Sequence, residues 1–80
     1  MPQVTSEQAR VAQTLTSWFN SLEETSRVDL LCVTPWSDVV AQWVDATGAS
    51  TADSRTAEDL VVEGVIEVDD GRFLRTRAWS

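Results

Sequence analysis

Residues 51–76 constrain this chain most, because they read as a short helix, a glycine stop and a tight β-hairpin closed by Asp70-Gly71. Asp-Gly suits a type I′ turn, in which both central residues need φ > 0. A two-residue loop there leaves strands over 65–69 and 72–77, with Val68 opposite Phe73 and Glu67 opposite Leu74. One face of the hairpin is then aromatic and aliphatic and belongs against helices. The helix before it starts between residues 51 and 56 and runs to Glu63, with Ala57, Leu60 and Val61 inward and Gly64 as its stop.

The front of the chain supplies those helices. Thr5 and Gln8 form a capping-box pattern, followed by Val11, Leu15, Trp18, Phe19 and Leu22 at steps of three and four. That spacing makes one apolar stripe, with Gln8, Arg10, Gln13, Ser17 and Asn20 on the wet face and Glu23-Glu24-Thr25-Ser26 closing the helix. Residues 28–34 are β-rich and apolar, long enough for one strand. Thr34 caps a second helix with Pro35 at its first position, and Trp36, Val39, Val40, Trp43 and Val44 repeat the helical stripe before Gly48 ends it. The expected fold is α+β, with three helices, a short strand after the first and a C-terminal hairpin. Its core is Leu15, Trp18, Phe19, Leu22, Val40, Trp43, Leu60, Ile66 and Phe73. Without repeat or linker, residues 1–80 form one domain.

Eighty residues at 42% hydrophobic content can bury a core without covalent staples. Cys32 is alone, so there is no internal disulfide; within its apolar run it reads as a small buried thiol, and a free thiol fits a reducing compartment. No apolar run approaches membrane-spanning length, and the N-terminus has neither the basic segment nor the apolar core of a secretory leader. The expectation is a cytoplasmic protein with no membrane contact. The net charge is −7, with thirteen acids, six arginines and neither Lys nor His. A GC-rich genome favours Arg over Lys, and a salt-adapted proteome favours an acidic surface; both explanations stay open.

Catalysis lacks its parts. Without His there is no Ser-His or Cys-His pair, and no zinc-ligand spacing. Glu23-Glu24 and Asp69-Asp70 are neighbours in sequence, and adjacent side chains on a helix or strand do not converge on one atom. The chain is therefore expected to be non-enzymatic, with no cofactor and no metal.

The order helix, strand, helix, turn, helix, hairpin resembles the winged helix-turn-helix superfamily. The residues that carry the resemblance are Ala46-Thr47-Gly48 at the end of the second helix and Gly64-Val65-Ile66-Glu67-Val68-Asp69-Asp70-Gly71-Arg72-Phe73, similar to the wing entry of many bacterial and archaeal regulators. The resemblance implies a recognition helix over residues 51–63 and a wing tip at residues 69–72. DNA contacts would come from Thr51, Ser54, Arg55, Arg72 and Arg75. The same places hold Asp53, Glu58, Asp59, Asp69 and Asp70, and duplex DNA repels each of these acids. The favoured reading is a protein-interaction module (adaptor, subunit or inhibitor) that meets a basic partner through Asp53, Glu58, Asp59 and the interface-prone Trp79. The alternative is a DNA-binding regulator working in high salt or as a homodimer.

Overall fold

The computed structural model describes residues 4–69 and 73–76. Four helices precede the hairpin: α1 (Ser6–Ser21), α2 (Glu24–Cys32), α3 (Trp36–Thr47) and α4 (Thr51–Val62). Strands β1 (Ile66–Asp69) and β2 (Phe73–Thr76) pair antiparallel as the two-stranded sheet. The fold is thus α+β with a C-terminal hairpin, as expected, but with four helices where the sequence suggested three.

Helix α1 starts as its sequence dictates. The Thr5 side chain accepts from the Gln8 N–H and the Gln8 side chain accepts from the Thr5 N–H, a complete capping box. The helix stops at Ser21, so Glu23 and Glu24 do not close it. They open α2, where Glu23 is the N-cap and Glu24 lies in the first turn, favourably placed against the helix dipole. The strand expected over residues 28–34 is therefore a helix. Its inward positions are Arg27 and Leu30, with Leu31 half-buried, a three-and-four spacing that appears only when an arginine is counted as facing inward. Arg27 is accommodated because its guanidinium donates to the Leu22 carbonyl and lies 4.6 Å from the centre of the Phe73 ring. Cys32, expected to be buried, is exposed at the end of this helix.

Helix α3 keeps its expected stripe. Pro35 is the N-cap itself, one place earlier than expected, and Thr34 makes no capping bond. Gly48 closes the helix at φ 72°, a left-handed conformation that a side chain resists. Only Ala49 and Ser50 then separate Gly48 from α4, and the Ser50 side chain caps that helix by accepting from the Asp53 N–H.

Val11, Leu15 and Phe19 from α1, Val40 and Trp43 from α3, Ala57 and Leu60 from α4, and Ile66 and Leu74 from the hairpin form one core, all 3% exposed or less. Burying each of the larger of these side chains contributes roughly 1.5–3 kcal/mol. Trp18 and Leu22, expected inside, pack only partly against the core. Val61 is 43% exposed and so is not the core residue that its spacing suggested. The Trp43 Nε1–H, deeply buried, has no acceptor among the described residues.

The hairpin register also differs from the expectation. Asp69 pairs with Phe73, Val68 with Leu74, Glu67 with Arg75 and Ile66 with Thr76, while the Asp70-Gly71 turn itself lies outside the described residues. Against a two-residue loop this is a shift of one residue on β2, and a one-residue shift turns every side chain of a strand to the other face. Leu74 takes the buried place, 3% exposed, and Phe73, expected in the core, is 38% exposed. The choice between the two registers is decided at β2's outer edge. The Asn20 side chain on α1 donates to the Leu74 carbonyl at 3.0 Å and accepts from the Leu74 N–H at 3.1 Å. Thr16 of α1 reaches Thr76 in the same way, hydroxyl to hydroxyl at 3.4 Å. Helix α1 thereby seals one edge of the sheet.

Candidate functional site

Two surface features emerge around α4: its outward ridge and a groove beside the hairpin. The ridge follows from the helical repeat. With Ala57 and Leu60 buried, Thr51, Arg55, Glu58, Asp59 and Val62 are all exposed. Two acids, one arginine and a valine that is 86% exposed make a surface both acidic and apolar.

The sequence-derived site residues divide accordingly. Thr51, Arg55, Glu58 and Asp59 share the ridge, and Ser54 is half-buried. Asp53 belongs to a different interaction. Its carboxylate takes a guanidinium hydrogen bond of 2.6 Å from Arg10 on α1, with a second contact at 3.4 Å, and its side chain is only 16% exposed. The hydrogen bond from Arg10 is the main reason the Asp53 carboxyl titrates below its ordinary range; burial opposes the shift and the Arg10 charge adds to it. Glu63, at the other end of α4, accepts from the Gln8 side chain. The first turns of α1 thus hold both ends of α4. Arg75 on β2, named as a DNA contact by the resemblance, instead sits 3.1 Å from Glu67 across the hairpin. Trp79, Arg72 and Arg77 lie outside the described residues.

The groove was not legible in the sequence. It has a volume of about 440 Å³ and lies between Leu31 of α2, Trp36 of α3, Val61 of α4 and the hairpin residues Ile66, Val68 and Leu74. Trp36 is fixed as a wall because its indole N–H donates to the Ala57 carbonyl at 3.0 Å. Val68 beside it is 57% exposed, well above what a strand facing a core would show. The one signal present in the sequence was the Val61-Val62 pair, where two successive valines on an amphipathic helix cannot both face inward.

Among the described residues there is no group of three or more His, Cys, Asp or Glu side chains that could hold a metal ion, and no helix long and apolar enough to cross a membrane. No protein-family model, curated protein or solved structure matches the chain.

Proposed function

We propose that this chain is a non-enzymatic protein-interaction module on a winged-helix-like scaffold, and that its partner is a protein with a basic surface. The observation that carries the reading is the outward ridge of α4. In a helix-turn-helix arrangement the second helix presents the contact surface, and here it presents Glu58, Asp59 and Val62 with Arg55 as its cation. Nonspecific affinity for nucleic acid comes from cations that release counterions, and an acidic ridge opposes it. A protein with a basic surface is the kind of partner to which such an acidic ridge is complementary in charge. An adaptor, a subunit or an inhibitor would serve equally, including one that occupies another protein's nucleic-acid site. A cytoplasmic location goes with this reading.

Affinity capture from native lysate tests it, with the wild-type chain beside a Glu58→Lys, Asp59→Lys variant. Capture of a basic protein by the wild type alone is the expected result. Asp53 is left unchanged, because its carboxylate holds Arg10 and reversal would disturb the fold.

The second reading, a DNA-binding regulator, draws on the tight α3–α4 connection through Gly48 and on Thr51 and Arg55 standing exposed together on α4. Under that reading Arg55→Ala abolishes binding to DNA and lowers its salt slope by about one unit.

A further inference from the structure

Helix α2 borders a second cleft, of about 380 Å³, on which Leu30 and Thr34 abut as they do on the groove beside the hairpin. Its walls come from three helices. Ser26, Asp29 and Val33 follow one another at steps of three and four along α2, Trp18 and Leu22 stand four apart at the end of α1, and Gln42 joins them from α3. The cleft accounts for the two α1 residues that were expected inside the core. Trp18 and Leu22 are only half-buried because the end of their apolar stripe borders this cleft instead of another helix. The polar side chains around it are not engaged elsewhere. Among the described residues, those of Ser26, Asp29, Thr34 and Gln42 make no hydrogen bond, and Asp29 makes no ion pair. Arg27, the one cation of α2, is turned away, with its guanidinium on the Leu22 carbonyl and the Phe73 ring. Asp29 is thus an exposed carboxylate that shares a cleft with an indole, two hydroxyls and an amide, without a cation of its own.

We propose that this cleft receives an arginine side chain of the partner protein. This rests on the reading of the chain as a module for a basic partner and names the group that the module grips. An indole attracts a cation placed over its face, and the flat guanidinium also stacks on it. The Asp29 carboxylate accepts a pair of parallel N–H bonds from such a group, and its remaining donors meet Ser26, Thr34 and the Gln42 amide oxygen. A lysine ammonium has fewer donors and no plane to stack. Leu22, Leu30 and Val33 supply apolar wall for the aliphatic stem of the arginine.

The flanks of the cleft favour a protein over a small guanidinium compound. Asp29 also borders a shallow depression that contains Val28. Val33 on one side of the carboxylate is 76% exposed and Val28 on the other is 38% exposed. Both valines are covered only when the arginine arrives with apolar neighbours on a chain. Charge argues against a second copy of this chain as the source of that arginine, since two molecules of net charge −7 would have to meet.

The test is NMR on the full chain, isotopically labelled, at physiological salt. The probe is a blocked peptide with one arginine between valines, and the controls carry lysine or the uncharged isostere citrulline in its place. The arginine peptide should move the Trp18 indole N–H, the Gln42 side-chain amide and the Asp29 amide. The lysine peptide should bind severalfold more weakly, and the citrulline peptide should leave all three in place. Asp29→Asn preserves the shape of an exposed side chain and should weaken the arginine peptide roughly tenfold without loss of thermal stability. Gln42→Glu adds a second carboxylate and should tighten binding severalfold, a gain that a misfolded variant would not show. Absence of binding, equal binding of the arginine peptide and either control, or binding that survives Asp29→Asn overturns the proposal. Shifts confined to Glu58 and Asp59 also overturn it, while leaving the acidic-ridge reading intact. Acetylarginine amide bound as tightly as the peptide would assign the cleft to a small guanidinium compound and overturn the protein occupant. Sedimentation that shows a dimer lost in Asp29→Asn would assign the cleft to a second copy and overturn it likewise. Failure of the broader module reading would instead appear as tight binding of duplex DNA.

Discussion

Asn20 shows how one side chain settles a register. Its amide supplies one donor and one acceptor, and Leu74 offers the complementary pair at 3.0 and 3.1 Å. Read along the sequence, Asn20 lies on the wet face of α1; read in space, it substitutes for a neighbouring strand. Asn20→Ala leaves two partly buried backbone groups without partners and should cost about 1–3 kcal/mol. Denaturant unfolding measures that cost, and hydrogen exchange should show the Leu74 amide losing protection. Arg10 and Asp53 give a second expectation at this scale. Asp53 titrates lower in the folded chain than in the unfolded one, so the unfolded state binds more protons as pH falls. The stabilisation is present above the ordinary carboxylate pKa of about 3.9 and is lost as pH falls through the depressed folded value. In a carboxylate NMR titration, Arg10→Gln should raise the Asp53 pKa toward its ordinary range.

At the scale of elements, α1, α3 and α4 were legible because end signals and apolar spacing agree: Thr5 with Gln8, and Gly48 and Gly64 after their helices, whereas which residue caps α4 became clear only with Ser50 in place. Helix α2 was not. Its apolar run is rich in β-branched residues, and the helical period depends on Arg27 facing inward, which composition argues against. The hairpin was legible in kind but not in register, because Asp70-Gly71 fits a two-residue loop until Asn20 fixes Leu74. The acidic character of the α4 ridge could be read in advance, whereas the groove depends on how α2, α3 and α4 meet the hairpin. Gly48 offers an element-level test. A Cβ there would meet nothing within 4 Å, so the cost of substitution is conformational alone. Gly48→Ala should destabilise by roughly 1–2 kcal/mol, and Gly48→Asn by less, since Asn tolerates the left-handed region. Thermal unfolding of the two variants distinguishes them.

Over the whole molecule, the acids dominate the surface. Of those on described residues, only Asp53 and Glu67 are partly covered. With net charge −7 the folded chain repels itself, and added salt screens charges beyond about 10 Å at 0.1 M. The melting temperature should therefore rise with sodium chloride, an effect calorimetry can follow. A fall would mean that attractive pairs such as Arg10–Asp53 outweigh the repulsion.

The same surface charge bears on the choice between a protein partner and DNA. The most direct measurement is a titration of labelled duplex DNA with the unmodified full chain at low and at physiological salt. A ridge carrying Glu58 and Asp59 beside Arg55 predicts no binding tighter than about 10⁻⁴ M at physiological salt, the weak end of nonspecific affinity. Sub-micromolar, sequence-specific binding at that salt, abolished by Arg55→Ala, would contradict the account.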